Sequence, residues 1–212
     1  MKEKQDMKKR NIIRGFLVLV MVVMTGFFIN LEITKADEKN TENYHLIPWD
    51  DGQSGTYWMD GYLYWIDMKK KKISRYSDEE MTKEEVLVEA DKGTCIGECG
   101  LLYDDIIYYV LIDNKTHAGN LYSYNLKSRE SNKLGAAREL QRLEVLVDGK
   151  IYGCGYTKTG NPEVFLYDLK GKKLKQICKN GYFGQIVGKY IAIQTISSSG
   201  KSGMTLYRKS DG

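Results

Sequence analysis

After residue 50, apolar and polar positions alternate along the chain in a module that recurs four times. Each copy consists of an aromatic strand, a polar turn and a second aromatic strand. The first strands cover residues 60–65, 104–109, 148–153 and 187–192, at steps of 44, 44 and 39 residues. The second strands repeat in step with them, at residues 73–76, 121–124, 165–167 and 205–207. A repeat of this length is typical of a β-propeller blade.

The repeats, which cover residues 50–212, predict an all-β fold: a β-propeller or partial propeller of about four blades of antiparallel strands. The blades cover approximately residues 50–92, 93–136, 137–180 and 181–212. The segments 78–88 and 136–146 are rich in Glu, Leu and Arg, so the first half of each could be helical. Their ends fall where the period requires a strand.

The fourth blade lacks an outer strand, because the pattern gives it strands only at residues 183–187, 190–196 and 204–208. A propeller brings its last blade against its first to remove open sheet edges. Either residues 44–47 supply the missing strand and close a four-bladed ring, or the chain is a fragment of a larger propeller. We favour the fragment, because four blades is the lower limit of the usual range.

Residues 1–36 predict a signal peptide or membrane anchor, with an anchor helix in the second case. Six Lys or Arg precede an uncharged apolar run at residues 15–31. This run is long for a signal-peptide core and short for a spanning helix. Small residues at Thr34 and Ala36 slightly favour cleavage after Ala36. The basic cluster is expected to stay in the cytoplasm, so the rest of the chain would cross the membrane. Residues 37–49 are a linker, and the repeats after it form an extracytoplasmic domain that is either secreted or anchored in the cell membrane.

The formal net charge of +4 does not indicate a nucleic-acid partner. Residues 1–36 hold 7 Lys or Arg against 3 Asp or Glu, and residues 37–212 balance at 25 and 25. A neutral exported domain lacks the basic surface that nucleic-acid binding requires. We therefore expect no nucleic-acid partner.

One stretch of the first blade carries a resemblance to a known repeat. Residues 64–67 read Tyr-Trp-Ile-Asp, and residues 73–75 read Ile-Ser-Arg. They resemble the YWTD-type propeller repeat of the low-density-lipoprotein-receptor class, and are most similar to bacterial exported domains of unknown function of the DUF5050 type. The other three blades keep the Tyr-rich strands but lose the Trp and the Asp. The resemblance covers about residues 50–212 and implies a propeller fold and no activity.

The sequence shows no local catalytic or metal-binding motif. Its four cysteines are Cys95, Cys99, Cys154 and Cys178. An exported domain allows disulfides, but Cys95 and Cys99 on one extended strand would lie about 13 Å apart, beyond the reach of a bridge. We expect four core-facing thiols. His45 and His117 have no nearby partner for a triad or a metal site, so we expect no catalytic residue, metal or cofactor.

The hairpin loops between the second and third strands of the blades form the predicted binding surface. In a propeller these loops emerge on one face, so they would converge. They cover residues 67–72, 113–120, 157–163 and 197–203. Their candidate ligand-binding residues are Asp113, Asn114, Lys115, His117, Thr157, Lys158, Asn161, Ser198 and Lys201. This polar mix suits a glycan or a peptide; the alternative is that hairpin tips are polar because they contact water.

These observations predict a non-catalytic binding or interaction module at the bacterial cell envelope. Its ligand would be a glycan, a peptide or a protein, and the membrane is a further partner through residues 15–31 if they are not cleaved. The first alternative is an envelope or polysaccharide-directed lyase or hydrolase, because propeller enzymes can assemble sites from separate blades. The second alternative is a non-functional fragment of a larger propeller protein.

Overall fold

The structure is a computed structural model and describes residues 44–48, 58–78, 80–157, 159–197 and 199–209. All of these residues belong to one compact unit, Thr41–Gly212. The predicted signal or anchor segment and most of the linker lie outside the described residues. Within the described ranges, no helix is long and apolar enough to cross a membrane.

The described residues form four antiparallel sheets, which confirms the all-β prediction. We number the sheets in chain order. Sheet 1 contains β2 (Trp58–Met59), β3 (Tyr62–Asp67), β4 (Lys72–Tyr76) and β5 (Glu84–Glu89). Sheet 2 contains β1 (Tyr44–Ile47), β6 (Thr94–Ile96), β7 (Gly100–Tyr103), β8 (Ile106–Asp113), β9 (Gly119–Asn125) and β10 (Glu130–Ala136). Sheet 3 contains β11 (Leu140–Val147), β12 (Lys150–Tyr156), β13 (Pro162–Asp168) and β14 (Lys173–Lys179). Sheet 4 contains β15 (Gly181–Val187), β16 (Tyr190–Ile196) and β17 (Ser202–Arg208).

Two-residue turns with left-handed backbone explain the recurring Asp-Gly motif. The turn before β3 is Asp60-Gly61, with φ of 50° and 78°. The turn before β12 is Asp148-Gly149, with φ of 51° and 66°. Asp104 and Asp105, before β8, adopt the same region at 53° and 61°. Hairpin turns of type I′ require positive φ at both central positions, so these residues join the strands on either side as tight hairpins.

Three apolar clusters fill the spaces between consecutive sheets. The cluster between sheets 1 and 2 includes Tyr64, Ile66, Ile73, Ile107 and Tyr109. The cluster between sheets 2 and 3 includes Val110, Leu121, Leu143, Phe165 and Tyr167. The cluster between sheets 3 and 4 includes Val164, Leu166, Cys178, Ile191 and Ile193. Because neighbouring residues of a strand point to opposite faces, β13 contributes to two clusters, and the sheets pack face to face in chain order.

The strand at residues 44–47 does not complete sheet 4, which rules out the less favoured alternative that this strand closes a four-bladed ring. β1 pairs with β7 along its whole length, from Tyr44 opposite Tyr103 to Ile47 opposite Gly100. Ile47 is fully buried there, in the cluster between sheets 1 and 2. Hydrogen bonding and burial therefore place this segment at the edge of sheet 2. Among the described residues, sheet 4 has three strands.

The two segments for which a helical first half was considered contain no helix among the described residues. Residues 137–139 form a turn between β10 and β11 that hydrogen bonds across the chain, with the Ala137 amide donating to the Gly119 carbonyl over 3.1 Å. Cys95 and Cys99 do not lie on one extended strand either, because the chain is broken between β6 and β7. At the break the amide of Gly97 donates to the Val110 carbonyl and that of Glu98 donates to the Gln141 carbonyl. Hydrogen bonds to backbone groups distant in sequence therefore determine the structure of residues 137–139 and of the break between β6 and β7.

The cysteines form no disulfide among the described residues. Cys154 and Cys178 are buried in the cluster between sheets 3 and 4, as predicted for core-facing thiols. Cys95, on β6, is only half-buried but packs against the cluster between sheets 2 and 3, in agreement with the prediction. Cys99 is half-buried, lies after the break between β6 and β7 and belongs to none of the three clusters, so the prediction of a core-facing thiol is wrong for Cys99.

Candidate functional site

The hairpin loops between second and third strands of neighbouring sheets line shared grooves. The first groove lies between the loops of sheets 2 and 3, and we call it the 2–3 groove. It has a volume of about 840 Å³. His117 from the β8–β9 loop and Thr157 from the β12–β13 loop both line it. These two predicted residues therefore share one concave surface.

Asp113 shapes its loop instead of lining the groove. Its Oδ1 accepts hydrogen bonds from the amides of Lys115 and Thr116, at 3.0 and 2.7 Å, and from the Thr116 hydroxyl at 2.9 Å. These hydrogen bonds lower the pKa of the Asp113 carboxyl, and the bond from the Thr116 amide has the largest effect. They fix the turn that holds His117 in the left-handed region at φ 56°. Asn114 and Lys115 are exposed and do not line the 2–3 groove.

The remaining predicted residues belong to other places. Asn161 lines a second groove of about 340 Å³, the 3–4 groove, together with Ser197 and Gly200 of the β16–β17 loop. Lys201 is exposed and does not line that groove. Lys158 and Ser198 lie outside the described residues. The equivalent loops of sheets 2, 3 and 4 thus meet in adjacent pairs.

Seven lining residues of the 2–3 groove were not among the predicted binding residues. Three of them, Thr116, Ala118 and Glu163, lie on the predicted loops. The other four lie outside those loops: Arg138, Glu139, Gln141 and Tyr156. Arg138 and Glu139 belong to the connection between β10 and β11, a segment whose first half was considered as a helix, and the alternation in β12 could have indicated Tyr156. The connection itself is placed by distant partners, since the Gly119 amide donates to the Arg138 carbonyl over 3.1 Å.

The carboxylates of the 2–3 groove already have partners within sheet 3. Glu139 accepts from the Lys173 ammonium at 3.0 Å and from the Tyr167 hydroxyl at 3.4 Å. Burial would raise the pKa of Glu139, but Lys173 outweighs it and the pKa is lowered. Glu163 accepts from the Gln176 side-chain amide at 2.6 Å. The charge of Glu139 is therefore balanced from within the fold.

The guanidinium and the imidazole of the 2–3 groove face solvent. Arg138 is exposed, and its guanidinium forms no ion pair with any of the described residues. His117 is exposed as well. Tyr156 is half-buried and presents an aromatic ring to the same groove. The groove thus combines one aromatic surface with an unpaired guanidinium and several neutral hydrogen-bonding groups.

An ion-pair network lies next to Tyr156. The Nε of Arg142, on β11, is 2.5 Å from Glu144 Oε1, and its Nη1 is 3.5 Å from Glu98 Oε2. Burial would lower the pKa of Arg142, but the Glu144 carboxylate raises it above its usual value. Burial raises the pKa of the Glu98 carboxyl, and Arg142 opposes that rise. The network therefore holds one cation between two carboxylates at the inner strand of sheet 3.

Cys154 lies beside this network and is not a reactive thiol. Burial, followed by the nearby Glu144 carboxylate, raises the pKa of the Cys154 thiol to about 12. Its sulfur accepts a hydrogen bond from the Phe183 amide at 3.4 Å. Because the thiolate is the nucleophilic form, Cys154 acts as a packing residue.

A third groove opens at the other end of the strands, where the two-residue turns lie. This 1–2 groove has a volume of about 570 Å³ and is lined by His45, Asp60 and Asp104 among others. Its cations are paired, since Lys127 lies 2.5 Å from Asp105 and Arg75 lies 2.7 Å from Glu85. Within the described ranges, no cluster of three or more His, Cys, Asp or Glu could hold a metal ion. The 2–3 groove is the larger of the two and the one with a free guanidinium.

No protein-family model matches the chain, and no curated protein sequence matches it. The DUF5050 assignment therefore stays a prediction. Among solved structures, oligogalacturonate lyase from Vibrio parahaemolyticus matches with a TM-score of 0.47 and 10% identity, over 68% of this chain and 48% of that one. A nidogen/laminin complex matches with a TM-score of 0.43 and 13% identity, over 69% and 60%. Acylaminoacyl peptidase matches with a TM-score of 0.46 and 12% identity, over 74% and 31%.

The chain spans about half the length of the first of these structures, 48%. TM-scores of 0.47, 0.43 and 0.46 carry no inference about activity or ligand. The functional argument therefore rests on this chain's own residues.

Proposed function

We propose that this chain is part of an extracytoplasmic β-propeller and acts as a non-catalytic binding module whose 2–3 groove holds a glycan. The groove itself is the observation that carries this proposal. Loops from two sheets and the connection between them together line a cleft of about 840 Å³, within the size range of small-molecule sites. The Arg142 ion-pair network lies beside Tyr156, one of the residues that line the groove.

The chemistry of the lining favours a glycan over a peptide. A sugar ring has an apolar face that can pack on an aromatic ring, and the half-buried Tyr156 offers such a ring. Gln141, Thr157 and Arg138 add donors and acceptors at the rim, as needed for a hydroxyl-rich ligand. A peptide bound by backbone pairing would instead need a length of open strand edge, whereas the groove is lined by loops and by single residues at the ends of β11, β12 and β13.

The predicted location at the cell envelope rests on the N-terminal sequence. The basic cluster before residues 15–31 would hold the N-terminus in the cytoplasm and direct the four sheets outside. Glycans are the main polymers there, so a glycan-binding groove and an exported domain are mutually consistent. An assay of protease accessibility on intact cells tests the location: we expect the sheets to be cleaved without cell lysis.

Removing the aromatic or the cationic wall of the groove should abolish most of the affinity. We expect Tyr156→Ala and Arg138→Ala each to weaken glycan binding at least tenfold, about 1.4 kcal/mol. The measurement is isothermal titration of the purified full chain with chitohexaose, cellohexaose and a hexauronate. Lys133→Ala, at an exposed lysine of β10 away from the groove, is the matched control and should bind like the wild type.

Two results would contradict the proposal. One is the absence of wild-type binding to any of the three hexasaccharides at millimolar concentration. The other is binding that Tyr156→Ala and Arg138→Ala leave unchanged. Circular dichroism of each variant checks that the sheets remain folded, because Tyr156 also contacts Tyr182, with ring centroids 6.4 Å apart.

One observation favours the alternative of a glycan-cleaving enzyme. Burial raises the pKa of Glu98, and a carboxyl with a raised pKa suits a general acid. However, Glu98 and Glu144 share Arg142, which is the arrangement of a structural ion-pair network. If the enzyme alternative holds, the wild type cleaves one of the three hexasaccharides and Glu98→Gln abolishes cleavage while binding persists.

A further inference from the structure

The outer edge of sheet 3 carries a concentration of positive charge. β14 lies at this edge and follows the turn that begins after Asp168. Residues 170–179 contain five lysines and no Asp or Glu, although residues 37–212 as a whole are neutral. We call residues 170–179 the lysine edge. Its lysines are all exposed: Lys170, Lys172, Lys173, Lys175 and Lys179.

Protection of an open strand does not account for this charge. Lysines on an edge strand can prevent edge-to-edge pairing, but the other outer strands of this chain are not built in that way. β5, at the edge of sheet 1, contains three glutamates and no lysine. β10, at the edge of sheet 2, contains one lysine and one glutamate. The five lysines are therefore particular to sheet 3, and their charge fits an anionic partner.

The turn before β14 holds two of the lysines in a fixed place. Asp168 Oδ1 accepts hydrogen bonds from the backbone amides of Lys170 and Lys172, at 3.0 and 2.8 Å. Gly171, between them, has a φ of 81°, and a Cβ there would come within 2.7 Å of the Leu134 carbonyl carbon on sheet 2. The ammonium groups of Lys170 and Lys172 form no ion pair with any of the described residues. The turn thus presents two charges that the fold leaves unbalanced.

The carboxylates near β14 reduce the positive charge mainly along the strand itself. Glu139 accepts from the Lys173 ammonium at 3.0 Å. Glu163, on β13, lies opposite Lys179 and accepts from the Gln176 side-chain amide. The positive surplus of the lysine edge is therefore greatest at the turn.

An exposed apolar side chain lies among the lysines. Leu174 is 42% exposed. Lys173 pairs with Tyr167 and Lys175 with Leu166, so Leu174 is the additional residue of a β-bulge. Residues 170–179 line none of the three grooves described above. The lysine edge thus offers a leucine flanked by ammonium groups, outside the concave surfaces of the molecule.

We propose that the lysine edge docks onto an anionic phospholipid surface. The lysines would contact the headgroup phosphates, and Leu174 would enter the boundary between headgroups and acyl chains. Peripheral membrane contacts gain affinity from buried apolar area together with the attraction between basic residues and anionic lipids. A soluble phosphate polymer would engage the lysines and leave Leu174 in water. The exposed leucine therefore favours the lipid surface.

The N-terminal sequence would keep the lysine edge close to a membrane. Residues 32–43 separate the apolar run at residues 15–31 from β1, and this length of chain spans at most about 40 Å. Attraction between charges extends about 8 Å at physiological salt, and a short tether raises the effective concentration of the lysine edge at the surface. The tether depends on the proposed anchor, whereas the charge and the exposed leucine of the lysine edge do not.

Tryptophan fluorescence of the full chain in vesicles tests the contact. The chain is reconstituted in vesicles of phosphatidylcholine, with or without phosphatidylglycerol, so that residues 15–31 are the same in both. Leu174→Trp places a probe at the lysine edge, and the emission of the wild type, which has 3 tryptophans, is subtracted. We expect brominated acyl chains to quench the added tryptophan at least twofold in the anionic vesicles and not in the neutral ones. In about 1 M salt, where the Debye length falls to about 3 Å, the quenching should disappear.

Charge reversal at the turn supplies the decisive variant. We expect Lys170→Glu/Lys172→Glu to abolish the quenching of the added tryptophan in anionic vesicles. Lys92→Glu/Lys201→Glu is the matched control, because it changes the net charge equally at two exposed lysines of other loops, and it should retain the quenching. Met204→Trp is the control for the probe: Met204 is 62% exposed with no Lys or Arg within two residues, and a tryptophan there should stay unquenched.

Several results would overturn the proposal. They are the absence of quenching in anionic vesicles, equal quenching in neutral vesicles, and quenching that persists in Lys170→Glu/Lys172→Glu. Soluble poly(glycerol phosphate) that shifts the emission of the added tryptophan in neutral vesicles, without any effect of anionic lipid, would assign the lysine edge to a phosphate polymer instead. The two lysines follow β13, whereas the 2–3 groove lies at its start, so Lys170→Glu/Lys172→Glu should bind hexasaccharides like the wild type. Failure of the lipid contact is thereby distinguishable from failure of glycan binding.

Discussion

Replacing Gly155 with alanine is expected to destabilise the fold by about 3 kcal/mol, the upper end of the usual range for steric overpacking in a core. Gly155 lies on β12 opposite Leu140, where the connection from sheet 2 enters sheet 3. A Cβ at this position would overlap the backbone carbonyl oxygen of Glu139 and crowd the Leu140 amide. Backbone atoms cannot rotate away as the end of a flexible side chain can. The strand or the connection would have to move.

Urea denaturation followed by tryptophan fluorescence measures this loss. Gly203→Ala is the matched control: Gly203 also lies within a paired strand, but a Cβ there would meet only the Thr195 hydroxyl at 3.5 Å, an ordinary contact. We expect the control to change the free energy of unfolding by less than about 1 kcal/mol. Equal stabilities of the two variants would show that the connection is not held against β12.

Gly155→Ala should also weaken the binding of a glycan in the 2–3 groove. The connection that Gly155 accommodates carries Arg138 and Glu139, two of the lining residues. A Cβ on Gly119 would likewise overlap the carbonyls of Ala137 and Leu140. Two glycines on different sheets thus allow the connection to lie close to both. We therefore expect Gly155→Ala to lower the affinity for hexasaccharides by more than the loss of folded protein, measured by circular dichroism, accounts for.

The strands could be predicted from the sequence because their signals are local. Alternation with a period of two and the Asp-Gly turns at residues 60–61 and 148–149 depend only on neighbouring residues. The same local signals placed His117 and Thr157 on hairpin loops. Their position on a shared groove follows from the packing of sheet 2 against sheet 3.

The alternatives that the structure rules out and the site residues that were missed concern segments whose structure depends on distant partners. β1 has too few residues to indicate which edge it joins, and its pairing with β7 spans more than 50 residues of sequence. The connection at residues 137–139 has a helical composition, yet its hydrogen bonds go to Gly119 and its neighbours. Arg138 and Glu139 were missed for this reason. Arg142 was missed because Glu98 comes from another sheet.

Replacing Arg142 with methionine is expected to cost about 2 to 3 kcal/mol at pH 7, because the change leaves two carboxylates without their cation. Arg142 contacts Glu144 at 2.5 Å and Glu98 at 3.5 Å, and all three side chains are at most about one quarter exposed, at 26%, 14% and 24%. A fully buried pair would lose more, about 3 to 5 kcal/mol. Methionine keeps the apolar length of the side chain, so the loss reports mainly the charge.

The loss should depend on pH in a defined direction. Burial raises the folded-state pKa of Glu98 and Arg142 opposes it, so removing Arg142 raises that pKa further. The folded variant then binds a proton more tightly than the unfolded chain, whose Glu pKa is about 4.3. The contribution of Glu98 to the stability of the variant is therefore greatest below that value and is lost as the pH rises through the folded pKa of Glu98. We expect the deficit relative to the wild type to be larger at pH 7 than at pH 4.5, as measured by urea denaturation at both values.

Neutralising the carboxylates separates charge from packing. In Arg142→Met/Glu98→Gln/Glu144→Gln, no charge remains to be compensated, so we expect the triple variant to be more stable than Arg142→Met at pH 7 and to lose most of the pH dependence. A deficit that is equal at both pH values and unchanged in the triple variant would mean that Arg142 acts through its apolar contacts. The network would then be a consequence of the packing of β11, and the position of Tyr156 beside it in the 2–3 groove would not depend on the charge of the network.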